Sequence, residues 1–333
     1  MKKHSAKVSN GIMVTWSKHC FRSSATGLAL GIPVHYIYPI NKKGTFFKLI
    51  RYIVSSWQTI LIIRNLKPKI VVVHNLPVFI ALAAFIARLI NKHHIVFDFH
   101  SGALTNKLWR RFFFFYKFIF LKSPFTLAHN PFDSSYLEGL GAKTIDMFCL
   151  PRDFPGLKNI YASEKLLFTF VCSYNQDEPL DIIFDAVNQC PNFDFQITGD
   201  YKKRGLVPGD FPQNLKPLGF LSHAEYIKEL GLSTAIVSLS DRPNIMHMAI
   251  HEAVSIGVPV ITNHSDTTRR VLESAGIFCD LTIKSLKDAI NYAAKNHVEL
   301  RKEARKLKPK RLDDLGVQLK KLKGYLEEFS EFE

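Results

Sequence analysis

The sequence predicts an α/β protein made of two doubly wound, parallel-sheet domains facing each other. Three observations predict it. Short, continuously apolar runs such as IVVVH (70–74) and HIVFDF (94–99) alternate with longer helical stretches, the pattern of strands buried on both faces. The alternation breaks over 150–165 (LPRDFPGLKNIYASEK), where Pro, Gly and charge collect without periodicity, and then restarts. Finally, 333 residues that are 47% hydrophobic and 22% charged suffice for two cores and exclude wholesale disorder.

Taken in order, GIMVTW (11–16) reads as a strand, 19–30 as a helix and PVHYIY (33–38) as a second strand. A basic amphipathic stretch over 45–66 precedes the strand at 70–74. A helix over 78–91, the strand at 94–99, a helix over about 107–121 and the strand FTLAH (125–129) follow. After the break come LFTFVC (167–172), a helix at 178–190, FDFQITG (193–199), a helix at 223–231 and TAIVSLS (234–240). The series closes with a helix at 245–257, VPVITN (258–263) and a helix near 283–296. A basic tail, 301–323, is helical by composition, with Pro309 expected to interrupt it. The expected domains are 1–155 and 160–310, with about 312–333 packing back on the first.

The net charge of +15 is unevenly held. Residues 1–132 contain 19 Lys and Arg and a single acid, Asp98, so they carry +18; the remainder carries −3. Such asymmetry implies different partners for the two halves. Five scattered cysteines with no CxxC pair argue against a disulfide framework or zinc knuckle and fit a reducing compartment. The N-terminus lacks the apolar core of a signal peptide. No uninterrupted apolar stretch reaches the roughly 18 residues of a membrane span; the longest, 76–90, contains Pro77 and Arg88. These features read as a soluble or membrane-surface protein.

Two regions hold candidate chemistry. In HIVFDFHSGAL, Asp98 and His100 share a strand face at its carboxyl end, where ligands bind in open parallel sheets. Either could accept a proton from a hydroxyl; equally, Asp98 could form a structural salt bridge. In SLSDRPNIMHMAIHEAVSIGVPVITN, a strand ends at Ser240. A polar loop with Arg242 and Asn244 leads to a helix expected near Ile245, whose free N–H groups make an anion site. Glu252 lies near the apolar face of that helix and needs partners, which the hydroxyls of a ribose could supply; a surface salt bridge is the alternative. Ser173 and Tyr174, then Gly199 and Asp200, sit at two further strand ends of the same half, while Asp177 and Glu178 read as caps of the following helix.

HEAVSIGVPVI (251–261) resembles the EA-x-x-x-G-x-PVI segment of GT-B glycosyltransferases, in particular the family-4-like (group 1) enzymes that build bacterial surface polysaccharides. ITGD (197–200) and DFHSGAL (98–104) match less specific family positions, and the likeness covers nearly the whole length. The resemblance implies two Rossmann-like domains facing across a cleft. The C-terminal one would bind a nucleotide-diphosphate sugar, with Glu252 on the ribose and Asn244, Ile245, Met246 and His247 at the diphosphate. The N-terminal one would bind the acceptor, with Asp98 or His100 near its reacting hydroxyl. It also implies catalysis without metal or other cofactor, the helix dipole and basic side chains stabilising the leaving diphosphate. Many retaining members carry two glutamates eight apart; here Asn244 stands eight before Glu252, a departure that weighs toward inversion with Asp98 as base.

KLWRRFFFFYKFIFLK (107–122) combines eight aromatics with five bases and no acid. Its Trp109, Arg110, Arg111, Phe112, Phe113, Phe114, Phe115 and Lys117 are expected to form a membrane and acceptor face, since four consecutive Phe cannot all face one core. The basic stretch at 42–67 supports the same face. The expected location is therefore the cytoplasmic face of a membrane. A basic surface also suits nucleic acid, but no RNP-like motif, helix-turn-helix or zinc finger is present, and nucleic acid is not an expected partner. A sugar-nucleotide epimerase on the same fold is a further alternative, one with no need of a basic aromatic half.

Overall fold

The computed structural model describes residues 10–42, 44–74, 77–99, 111–112, 117–128, 130–147, 151–154, 166–242 and 245–330. The chain divides into two compact units, residues 1–149 with 313–333, and residues 150–312.

The first unit contains β1 (Gly11–Thr15), α1 (Phe21–Leu30), β2 (Val34–Tyr36), α2 (Thr45–Leu66), β3 (Ile70–His74), α3 (Phe79–Arg88) and β4 (His94–Asp98). A helical segment at 117–121, β5 (Thr126–Ala128), α4 (Pro131–Gly139) and β6 (Thr144–Asp146) follow. All neighbouring strands pair parallel in the order β2-β1-β3-β4-β5-β6. The β-branched run IVVVH explains the centre of this sheet, because Val71, Val72 and Val73 are wholly buried between helical layers. Strand order reverses between β1 and β3, which places the natural ligand crevice at their carboxyl ends.

The second unit contains β7 (Leu167–Phe170), α5 (Leu180–Asn188), β8 (Asp194–Thr198), β9 (Leu215–Gly219), α6 (His223–Leu232) and β10 (Ala235–Ser238). It continues through α7 (Met248–Ile256), β11 (Val260–Asn263), α8 (Asp266–Leu272), β12 (Gly276–Cys279) and α9 (Ile283–Lys295). Its sheet, again parallel, runs β12-β11-β10-β7-β8-β9, with the reversal between β7 and β10. Phe168, Phe170, Phe195 and Ile197 fill its core.

Two expected boundaries move. The last helix, α10 (His297–Ser330), runs through Pro309 without a break. Proline removes one helical hydrogen bond, yet Leu307, Arg311, Leu315, Leu319 and Leu322 are all buried along this helix, and that packing outweighs the loss. Helix α7 starts at Met248 rather than near Ile245, with His247 in an extended conformation at its N-cap, so 245–247 belong to the preceding loop.

Candidate active site

The carboxyl ends of β7, β8 and β10 open on a cavity of about 590 Å³ within the second unit. Its walls come from the β7–α5 loop (Cys172, Ser173, Asn175, Asp177, Glu178), the end of β8 (Thr198, Gly199), the β9–α6 loop (Phe220, Leu221, Ser222, His223) and Tyr226. The β10–α7 segment adds Ser238, Arg242, Ile245 and His247, and α7 adds Met248, Ala249 and Glu252. This is the switch point of the sheet, where connections to β8 and β11 leave in opposite directions and a gap must open.

Glu252 projects from α7 and accepts a hydrogen bond from the Tyr226 hydroxyl at 2.8 Å. Burial pushes its carboxyl above the usual carboxylate range, opposed by the Tyr226 bond and by His223 and Arg152 nearby. Arg152 Nη1 and His223 Nε2 lie 3.3 Å apart. Burial likewise lowers the His247 pKa, and its Nδ1 pairs with the Ser238 hydroxyl at 2.6 Å. Arg242 is 61% exposed and forms a 3.0 Å ion pair with Asp177, which also accepts from the Ser240 hydroxyl at 2.7 Å.

The β7–α5 loop is tightly made. Glu178 turns back to accept the backbone N–H groups of Ser173 (2.9 Å) and Asn175 (2.7 Å), rather than capping the helix after it. Gly199 is required where β8 passes this loop: its φ is +100°, and a Cβ there would lie 2.0 Å from the Cys172 carbonyl oxygen.

Of the donor-site residues expected from sequence, Ser173, Gly199, Arg242, Ile245, His247 and Glu252 line the cavity. Tyr174 does not: it is 3% exposed and belongs to the hydrophobic core, its φ of +57° turning the ring inward. Asp200 and Met246 stand outside the lining, and Asn244 lies outside the described residues. Sequence reasoning missed Tyr226, His223 and Phe220. The signal was present in S-H-A-E, a capping box in which Ser222 and Glu225 bond reciprocally and mark the strand-to-helix turn.

In the first unit Asp98 is corrected. It is wholly buried and gripped by Arg22, whose Nε lies 3.0 Å from Oδ1 and 3.2 Å from Oδ2, while Nη1 donates to the Met147 carbonyl at 3.2 Å. An acid so enclosed cannot meet an acceptor hydroxyl; it is the structural partner of a buried arginine. His100 lies outside the described residues. At the β1/β3 crevice itself stand Cys20, Ser23 and His74, with His74 Nδ1 at 2.9 Å from the Ser23 hydroxyl and 3.7 Å from Cys20 Sγ.

Within the expected aromatic face, Phe112 is half-buried and packs edge-on to Phe79 at 5.6 Å; Arg111 is exposed and Lys117 half-buried. Farther along, Ile119 and Phe120 are core, whereas Phe118 and Leu121 are exposed. Trp109, Arg110, Phe113, Phe114 and Phe115 lie outside the described residues. Among the described residues, no group of three or more His, Cys, Asp or Glu is placed to hold a metal ion.

No family model matches the sequence, and no curated protein matches it. Solved structures do. Sucrose-phosphate synthase from Thermosynechococcus elongatus superposes with a TM-score of 0.69 at 10% identity, covering 97% of this chain and 97% of that one. HepE from Anabaena, in complex with UDP and glucose, gives 0.68 at 12% identity, covering 96% and 99%. The chain has the GT-B fold. A protein assigned as a UDP-N-acetylglucosamine 2-epimerase from Listeria monocytogenes shares it too, at 0.66 and 12% identity over 98% of both chains. The GT-B architecture accounts for the two parallel six-stranded sheets and for the position of the cavity at the β7/β10 switch.

Proposed function

We propose that the protein is a glycosyltransferase that moves a sugar from a nucleotide-diphosphate sugar to a lipid-linked or polysaccharide acceptor at the cytoplasmic face of an anionic membrane. The observation that carries this reading is Glu252, a half-buried carboxylate on the wall of the cavity with the Tyr226 hydroxyl beside it. Such a group is costly unless a ligand satisfies it, and the vicinal hydroxyls of a ribose match its two oxygens. Phe220, 87% exposed at the cavity mouth, offers a face on which a nucleobase can stack. Arg242 and the N-terminus of α7 supply positive potential where the diphosphate would lie. The overlap with HepE bound to UDP and glucose supports the same placement.

Transfer breaks the bond between the anomeric carbon and the diphosphate oxygen, which leaves as an anion stabilised by Arg242 and the helix dipole. The acceptor hydroxyl oxygen forms the new bond to that carbon, and its proton goes to a base. With Asp98 held by Arg22, the proposal gives that role to His100, two residues beyond it in sequence. The first unit, with its +18 half, presents the acceptor.

Calorimetric titration with nucleoside diphosphates tests the donor site: the wild type is expected to bind one of them and Glu252→Ala to bind it about 100-fold more weakly. Equal affinities would remove Glu252 from the site. The epimerase reading, favoured by the overlap with the Listeria protein, predicts interconversion of two sugar nucleotides without any acceptor. Its absence, with sugar release dependent on acceptor, decides for transfer.

A further inference from the structure

Helix α2 has its polarity reversed. It is 22 residues long, and its buried positions are Ser55, Thr59 and Ile63. Its exposed positions include Phe46 (69%), Leu49 (60%), Ile53 (63%) and Trp57 (63%). The spacing of these four, three, four and four residues apart, confines them to one stripe about 16 Å long on the outer face. The inner face is tied down: the Thr59 hydroxyl accepts the Trp16 indole N–H at 2.9 Å and donates to the Ser55 carbonyl at 2.8 Å. Neighbouring α3, which packs against α2, exposes Leu82 and Ile86, and the turn after it exposes Leu89 and Ile90. Water-facing helices present the opposite pattern, and an apolar surface of this extent marks a site of interaction.

By length and composition α2 could cross a bilayer, with mean hydropathy 1.3 over its most apolar window, only 17% of which is buried. Its hydrogen-bonded inner face and its place in the chain as the connection from β2 to β3 tie it to the folded unit instead. What covers the stripe is indicated by charge. Lys42 flanks one end and Arg64 and Lys67 the other, all exposed, and residues 1–97 contain no acid at all. Cations ringing an apolar stripe fit lipid headgroups around acyl chains; a protein partner would need a matching acidic rim around an equally long apolar groove.

We propose that α2 lies in the plane of an anionic lipid bilayer, with Phe46, Leu49, Ile53 and Trp57 below the headgroups and Lys42, Arg64 and Lys67 on the phosphates. The inference deepens the membrane-acceptor reading, on which its biological sense rests. The chain has three tryptophans; Trp16 is buried, so in a Trp109→Phe background Trp57 reports insertion.

The test titrates full-length protein with vesicles of phosphatidylglycerol and phosphatidylcholine, against phosphatidylcholine alone, following co-sedimentation and tryptophan emission. The wild type is expected to bind anionic vesicles with a blue shift and to bind neutral ones far more weakly. Phe46→Ser/Ile53→Ser, at exposed positions that leave the fold intact by circular dichroism, should weaken binding about tenfold or more. In the Trp109→Phe background, Trp57→Ser should abolish the blue shift, and Val207→Ser, an exposed position of the second unit, should change neither. Unchanged vesicle binding by the double variant overturns the proposal. So does a wild type that ignores vesicles, or one that forms a dimer which the double variant dissolves, since a second copy then covers the stripe. Nucleoside diphosphate affinity, measured on the same samples without lipid, reports the enzymatic reading separately. Vesicle binding without nucleotide binding refutes that reading alone, and the converse refutes this one alone.

Discussion

Replacing Asp98 by Asn keeps the shape of the side chain and removes its charge, leaving the Arg22 guanidinium buried without its counterion. Side-chain exposures of 4% for Arg22 and 0% for Asp98 mean that water cannot step in. Breaking such a buried pair costs about 3–5 kcal/mol, a large part of the ~5–15 kcal/mol that holds a domain folded. Arg22 also joins α1 to the end of β6 through the Met147 carbonyl, so the loss spreads across the sheet. Urea unfolding followed by circular dichroism should show the first unit melting early in Asp98→Asn, with little dependence on salt because the pair is shielded. Arg22→Leu/Asp98→Leu, which removes both charges, should recover much of the stability, as replacing a whole buried pair with apolar groups is far less costly than orphaning one member. Wild-type stability in Asp98→Asn, together with abolished sugar transfer, would refute this reasoning and return Asp98 to the chemistry.

Three further outcomes follow from the geometry. Burial opposes ionisation of Cys20, but the hydrogen bonds from His74 and Ser23 and the His74 charge outweigh it and pull the thiol to about 7. Iodoacetamide labelling of Cys20, read by mass spectrometry, should therefore be half-maximal near that pH and shift upward in His74→Gln. The Glu252 carboxyl is raised by burial, so the fold favours its protonated form. The stability penalty is absent below the ordinary carboxylate pKa and grows as pH rises through the raised one. Glu252→Gln should thus gain urea resistance over wild type at about pH 8 but not at about pH 4, while losing nucleotide affinity. Gly199→Ala forces a Cβ against the Cys172 carbonyl at a positive φ, and should cost both stability of the second unit and nucleotide binding, measured by melting and calorimetry.

Much of the fold was legible because its central strands are continuous apolar runs and its long helices strongly periodic: α2 and β3 occupy the residues that their patterns indicate. The elements that pattern alone did not show are short or polar. β9 reads LKPLG, with a lysine and a proline inside a strand, β6 is three residues with an acid at its end, and α8, DTTRRVL, is seven residues of mixed character. In the site, residues directly after strands were visible as such, which is how Ser173, Gly199 and Arg242 could be named; Glu252 was visible from its helix face, and His247 through the family resemblance. Tyr226 was not, since its position on α6 acquires meaning only when that helix lies against α7 and brings the hydroxyl to Glu252, 26 residues later.

Two facts about this protein were determined by the order of its residues alone: the alternation that makes two parallel sheets, and the confinement of net positive charge to the first 132 residues. Both are properties of local composition, which needs no partner to be expressed. Tertiary structure decided what individual side chains do with that inheritance. The lone acid of the basic half, which its isolation marked as a catalytic candidate, meets Arg22 across 76 positions of sequence and is sealed from water. Helix α2 was amphipathic on paper, but only packing settled that its hydroxyls face the protein and its Phe, Leu, Ile and Trp face outward. Pairing and burial depend on residues far apart in the chain, and the direction of a helix face is set by what the rest of the fold presents to it.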